Sequence, residues 1–176
     1  PGQNKPRFFV MAGVVIPEER WHAVAAKLHG LKTRTKYHGE VKWRYFAPGN
    51  DDNANPMRQW KPPERNAFRE EVFSIICEEK AVKIVAGLTQ CEAAYKLPII
   101  SDQHDIYFRT YKVLTERFQY LLQDIGKASG RETLGIIVAD HRGTGDDDKM
   151  RKQHQRLVDQ NLMYVSTYSN LVEGLF

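Results

Sequence analysis

Three short runs of apolar residues, separated by helix-like segments, most constrain what this chain can fold into. The runs occupy residues 7–17, 81–89 and 132–140. The segments between them repeat apolar residues every three or four positions, which is the period of an amphipathic helix. Strands that alternate with helices predict an α/β fold in which helices cover a sheet. The first and third runs are apolar at successive positions, so we expect these strands to be buried on both faces.

The same pattern predicts the other elements of the fold. Helices are expected at about residues 17–32, 62–80, 103–123 and 143–160, and a fourth strand at 169–176. Residues 47–61 are rich in Asn, Asp, Gly and Pro, which predicts a loop, and we expect this loop to be an insertion outside the core. A length of 176 residues favours a single domain over residues 1–176.

Net charge, cysteine content and hydropathy bear on the partners and the location of the protein. A formal net charge of +4 is compatible with an anionic partner. The two cysteines fit neither a disulfide framework nor a zinc site, and Cys77 continues an apolar run, which predicts a buried thiol. No stretch has the length and apolarity of a membrane span, and no signal peptide is visible. These features predict a cytoplasmic protein without a membrane partner.

Asp140 is the best-placed candidate for chemistry. It follows the apolar run GIIVA, and ligands of open α/β sheets bind beyond the carboxyl ends of the strands. Three chemistries remain open at this position. A phosphate cradle would use Gly143 and Gly145. The stretch IIVADHRGT resembles the nucleophile motif of haloacid-dehalogenase-like phosphatases, with Arg142 at the place of the second Asp. A metal-dependent nuclease would combine Asp140 with carboxylates from other strands.

The second candidate is the Glu-x-Lys of the stretch KYHGEVKWRYF. In an extended chain Glu40 and Lys42 share one face, and Val41 and Trp43 share the other. Two interpretations are open. The pair is either a weak ion pair on a solvated strand face or an active-site carboxylate with a lysine beside it.

Most of the chain resembles a bacterial and phage family of unknown function, numbered thirty-eight hundred among the domains of unknown function. The resemblance is carried by RFFVMAGVVIPEERWHAVAAKLHGLKT, then HGEVKW, then LGIIVADHRG, in the family's order. It implies an RNase H-like mixed sheet covered by helices and a nuclease-type site. The family's Asp-Glu-Ser-Gly box and Gln-Leu-Ala-Asp segment have no counterpart here, so the resemblance also implies a domain that is incomplete at both ends.

The resemblance assigns roles to three residues. Glu40 and Lys42 match the family's Glu-x-Lys, and Asp140 matches its late-strand acid. Together they imply a divalent-metal-dependent nuclease in which Glu40 and Asp140 bind Mg²⁺ or Mn²⁺. Lys42 would stabilise phosphate charge or orient Glu40. The alternative is a non-catalytic module of the same fold that binds nucleic acid or a protein partner. The oligomeric state is left open.

The predicted helix at 143–160 carries a possible nucleic-acid surface. Its basic residues are Lys149, Arg151, Lys152, His154 and Arg156. They predict either contacts to nucleic-acid phosphates or a solvated helix face. The preceding acids at 146–148 suit a helix N-terminus. The three tryptophans are interpreted as packing residues rather than as base-stacking platforms.

Overall fold

The computed structural model describes residues 7–47, 52–78, 80–140, 144–159 and 168–175. The strands are β1 (Phe8–Val15), β2 (Lys83–Gln90), β3 (Gly135–Ile137) and β4 (Leu171–Leu175). The helices are α1 (Glu18–Arg34), α2 (Pro62–Cys77), α3 (Cys91–Ala94), α4 (Gln103–Ser129) and α5 (Thr144–Asp159), with a 3₁₀ helix at Trp43–Phe46. The predicted α/β class is confirmed, and each predicted helix and strand is present within a few residues of its expected bounds, except that α4 continues to Ser129 and β3 is shorter.

The strands pair in two small sheets. β1 pairs with β2, and β3 pairs with β4 in parallel. Gly135 lies opposite Leu171 and Ile137 opposite Leu175, with a register shift between the two pairs. Parallel neighbours need a crossover connection, and α5 lies in the segment that links β3 to β4.

The chain divides into two compact units. Unit 1 comprises Pro1–Gly13 and Val85–Phe176, and unit 2 comprises Val14–Ile84. The single domain over residues 1–176 stays a prediction.

The core of unit 1 lies between α4, α5 and the start of β4. Its buried members are Tyr111, Leu122, Met150, Leu157, Tyr168 and Leu171. β3 lies close to α4 because Gly135 has no side chain. A Cβ at this position would come within 2.6 Å of the Phe118 ring and 2.7 Å of Leu122. The side chain of Asp102 accepts a hydrogen bond from Asp105 N at 3.0 Å and so caps the start of α4.

The core of unit 2 is mainly aromatic and lies between α1, α2 and the 3₁₀ helix. Its buried members are Leu31, Tyr37, Tyr45, Met57 and Phe68. Phe68 contacts three other rings at centroid distances between 5.0 and 6.3 Å. This packing fixes α2 against the segment that contains Glu40.

The prediction that residues 47–61 are an insertion outside the core is wrong for the described part, 52–61. That part contains turns and no helix or strand, as its composition predicts. However, the Met57 side chain is fully buried, and Asn55 is 4% exposed. The Asn55 side chain accepts a hydrogen bond from Met57 N at 2.9 Å, which turns the chain so that Met57 enters the core.

The strands are not buried on both faces, which corrects a second expectation. In β1 Val10 is 60% exposed, and in β3 Ile136 is 59% exposed. Met11 of β1 and Ile137 of β3 pack against the core of unit 1. Cys77, expected to be buried, is exposed because it is the last residue of α2.

Within the residues that the structure describes, no helix combines the length and the apolar character needed to cross a membrane.

Candidate functional site

Glu40 and Lys42 lie on the same side of the chain and form an ion pair. Lys42 Nζ is 3.0 Å from Glu40 Oε2, which confirms that the two side chains share a face. Neither residue belongs to a strand, and the 3₁₀ helix begins directly after Lys42. Both side chains are exposed, and the hydrogen bond to Glu40 raises the pKa of Lys42. In this geometry the pair has the features of a surface ion pair, and its carboxylate is accessible.

The backbone at Glu40 is held by unit 2. The buried Tyr37 donates its hydroxyl to Glu40 O at 2.5 Å. Lys32 Nζ donates to Gly39 O at the same distance. Gly39 has a φ of 120°, a conformation that side chains disfavour, so glycine is required at this turn. The carboxylate of Glu40 is therefore presented to solvent from an anchored backbone.

Val41 and Trp43 do not both pack inward, as the extended pattern predicted. Val41 is half-buried and contacts the aromatic core of unit 2. Trp43 is 68% exposed because it begins the 3₁₀ helix. Trp21, on α1, is 55% exposed. The interpretation of the tryptophans as packing residues is therefore wrong for Trp21 and Trp43, and it holds for the half-buried Trp60.

Asp140 lies in unit 1, beyond the end of β3, and its side chain is exposed. The prediction of a buried strand leading to it is wrong, since Val138 is 75% exposed. Arg142 and Gly143 of the other two hypotheses lie outside the described residues, and Gly145 lies in the first turn of α5. Glu40 and Asp140 belong to different units, so the convergence of their carboxylates stays a prediction. Among the described residues, no group of three or more His, Cys, Asp and Glu is placed to hold a metal ion.

The four cations predicted to contact nucleic acid are all exposed on α5, namely Lys149, Arg151, Lys152 and Arg156. At about 100° per residue, Lys149, Lys152 and Arg156 form one stripe along the helix, and Arg151 lies on its opposite flank. Arg151 pairs with Asp148 at 3.4 Å. The side chains of these three stripe residues form no hydrogen bond or ion pair with another described residue.

Sequence reasoning missed a buried polar group in unit 1. His154, expected on the basic face of α5, is 1% exposed, and its Nδ1 is hydrogen-bonded to the Tyr111 hydroxyl at 2.7 Å. Burial lowers the pKa of His154. The signal was present, because His154 lies four residues after Met150 and three before Leu157, which are both buried.

Two further polar contacts extend this buried group. Gln119 is fully buried and donates to Asn170 Oδ1 at 2.7 Å. Asn170 Nδ2 donates in turn to Thr133 O at 2.8 Å. This hydrogen bond joins the residue before β4 to the segment that precedes β3. Burial, and then the charge of Glu116, raise the pKa of Tyr168. This group holds the fold of unit 1 together, since its members face the core and not solvent.

No protein-family model, curated protein or solved structure matches the chain. The RNase H-like assignment therefore stays a prediction.

Proposed function

We propose that the chain is an RNase H-like protein that binds the phosphate backbone of nucleic acid through α5. The observation that carries the proposal is the exposed stripe of Lys149, Lys152 and Arg156, in which no cation has a carboxylate partner among the described residues. A cation that is already paired must give up its partner to bind a phosphate, and these three have no such partner within the part of the chain that the structure describes. The parallel β3–α5–β4 unit supports the RNase H-like part of the proposal.

The dimensions of the stripe suit a polyanion. Lys149 and Arg156 are separated by about 10 Å along the helix, which corresponds to about three phosphates along one strand. Met150, His154 and Leu157 anchor the opposite side of α5 in the core of unit 1. The cations therefore project from a fixed helix, and binding releases counterions from the nucleic acid, so affinity should fall steeply with salt.

The test is the salt dependence of binding by a triple variant. Lys149→Gln, Lys152→Gln and Arg156→Gln together should weaken binding of a labelled oligonucleotide and reduce the slope of log K against log [salt] by about 2 to 3. Fluorescence anisotropy at several salt concentrations measures both quantities. The matched control is Arg151→Gln, which removes a cation from the same helix but from the opposite flank, where it is paired.

The control should change the slope by much less than the triple variant. Circular dichroism first verifies that the triple variant keeps its helices. An unchanged slope in a folded triple variant would mean that the stripe is only a solvated face.

Metal-dependent hydrolysis of phosphodiesters is a second candidate function. It is favoured by one observation: Asp140 is an exposed carboxylate in the same unit as the stripe, four residues before α5 begins. Carboxylates are the ligands that Mg²⁺ and Mn²⁺ prefer. Asp140 and Glu40 have the right chemistry, but neither unit supplies enough ligands among its described residues, and Lys42 is ion-paired with the Glu40 carboxylate. No reaction step is therefore assigned to them.

The hydrolysis candidate is tested by melting the protein with and without Mn²⁺. A cation that binds only the folded state raises the melting temperature by mass action. Asp140→Asn and Glu40→Gln should each reduce this rise and any Mn²⁺-dependent cleavage of an oligonucleotide. Asp159→Asn, at the exposed end of α5, is the control. If Mn²⁺ raises the melting temperature of both variants as much as that of the unmodified chain, these carboxylates do not bind the metal.

A further inference from the structure

Trp43 is an exposed aromatic residue that other aromatic rings support from one side. It is 68% exposed, yet its ring centroid lies 5.9 Å from that of Phe46 and 6.4 Å from that of Phe73. Large aromatic side chains are usually well buried. An exposed tryptophan on an aromatic support therefore marks a surface that is suited to a flat apolar ligand.

The local structure holds this ring in place. A 3₁₀ helix has three residues per turn, so Trp43 and Phe46 lie on the same side of it. Tyr45, between them, is 4% exposed and anchors the helix in the core of unit 2. Phe73 extends the support from α2 and is 44% exposed. Because packing already restricts the Trp43 side chain, this side chain would lose little conformational entropy when a ligand stacks on it. The entropic cost of binding is therefore lower.

The chain segment that contains Trp43 is basic. Residues 32–46 carry five Lys and Arg residues and a single acid, a net charge of +4 that equals the net charge of the whole chain. Lys42 and Arg44 flank Trp43 directly in the sequence, and their side chains are 40% and 60% exposed. Their carboxylate partners, Glu40 and Asp52, are at the surface. Such exposed pairs contribute little free energy, so a phosphate can replace the carboxylates.

We propose that Trp43 is a base-stacking platform for single-stranded nucleic acid, with Lys42 and Arg44 contacting the neighbouring phosphates. Bases have apolar faces that stack on aromatic rings irrespective of sequence, and a positively charged surround follows the backbone. A duplex hides these faces, so the platform selects single strands. This inference rests on the proposed function, because it requires that the chain binds nucleic acid. It names a second binding surface, in unit 2, besides the α5 stripe of unit 1.

The test compares two labelled oligonucleotides of about 12 nucleotides, one of deoxythymidines and one with abasic sites at the same positions. Both carry the same phosphates, and only the first can stack. Trp43→Ala should weaken binding of the thymidine strand by roughly 5- to 150-fold, which corresponds to about 1–3 kcal/mol of stacking free energy per base. It should leave binding of the abasic strand unchanged. Trp43→Phe should retain much of the affinity, because it keeps a ring.

Trp21→Ala is the matched control, since Trp21 is also an exposed tryptophan of unit 2 and lacks the aromatic support within the described residues. It should bind both strands as the unmodified chain does. If the unmodified chain binds both strands equally, the platform is refuted while phosphate binding by α5 stands. If the triple α5 variant prefers the thymidine strand and binds the abasic strand as tightly as the unmodified chain does, the platform stands and the α5 proposal fails. Binding of neither strand would overturn both.

Discussion

Units 1 and 2 bury polar groups in different ways. Unit 2 buries a cation, Arg65, which is 6% exposed and donates to four backbone carbonyls. The acceptors are Ala47 O at 2.8 Å, Trp60 O at 3.2 Å, Arg58 O at 3.2 Å and Tyr45 O at 3.5 Å. Unit 1 instead buries groups that titrate or stay neutral, of which Tyr111 and His154 are hydrogen-bonded to each other.

The difference predicts different responses to pH. A guanidinium stays protonated at all ordinary pH values, so the contacts of Arg65 are insensitive to pH. In unit 1 Tyr111 and His154 are held in their neutral forms by desolvation, which lowers the pKa of His154 and raises that of Tyr111. Unit 2 is thus fixed by packing and by one permanent charge, and unit 1 by groups whose charge can change.

The largest effect should come from the aromatic core of unit 2. Phe68→Ala removes a ring that is 2% exposed and touches three other rings, so it should reduce the free energy of unfolding by about 3–5 kcal/mol. Urea unfolding followed by tryptophan fluorescence measures this loss, since all three tryptophans lie in unit 2. Phe73→Ala, on the same helix but 44% exposed, is the control. Similar losses in both variants would contradict the assignment of this core.

Arg65→Lys should have the next largest effect. A lysine keeps the charge but lacks the planar fork that reaches several carbonyls together, so buried acceptors would lose their partner. We expect a loss of about 2–3 kcal/mol. Arg69→Lys is the matched control one turn along α2, because Arg69 pairs with the exposed Glu70. A loss of stability that is equal in the two variants would show that the carbonyl contacts of Arg65 do not hold the loop to the core.

The effect of Gly135→Ala tests the packing of unit 1. The added Cβ would clash with Phe118 and Leu122 in the core, so we expect a loss of about 1–3 kcal/mol. Gly30→Ala, in α1 and four residues before its end, has no atom within 4 Å of the new Cβ and should instead stabilise the protein by up to about 1 kcal/mol. Opposite signs for these two substitutions are the expected result. Stabilisation by Gly135→Ala would mean that β3 does not lie against α4 as described.

The sequence predicts the elements of the fold better than their burial. The period of apolar residues depends only on local geometry, so α1, α2, α4 and α5 could be placed from the sequence. Burial depends on what covers each face, which is a property of the whole fold. The apolar run at β1 predicts a strand correctly, yet Val10 is exposed. Likewise, the loop composition of 52–61 could not show that Met57 enters the core. A single hydrogen bond from Met57 N to the Asn55 side chain turns the chain inward there.

The candidate site could be predicted only where neighbours in sequence determine it. Glu40 and Lys42 share a face because they are two residues apart, and the structure places them in contact. The exposure of Lys149, Lys152 and Arg156 follows from the helical period in the same way. The meeting of Glu40 with Asp140 depends on long-range folding that no local pattern determines. The exposure of Trp43 follows from a 3₁₀ helix, which a pattern of alternating residues does not predict.

The smallest effect, and the one that most directly separates the two units, is expected at mildly acidic pH. Burial holds the pKa of His154 below its ordinary value of 6.5, so the unfolded chain binds the proton more readily than the folded chain. The stabilisation that comes from a neutral His154 is therefore complete above about pH 6.5 and is lost as the pH falls below it. Urea midpoints from about pH 8 to about pH 5 should decrease toward acid, and less so in His154→Gln.

Two probes can assign this acid sensitivity to unit 1. Tryptophan fluorescence reports on unit 2 alone, whereas far-ultraviolet circular dichroism also detects α4 and α5 of unit 1. If protonation of His154 weakens unit 1 first, helical signal should be lost at lower urea than tryptophan signal at about pH 5, and the two should approach each other at about pH 8. His22→Gln, exposed on α1, should leave both curves as they are. Coincident curves at both pH values would show instead that the two units unfold as one, and the contrast between them would then be one of composition and not of stability.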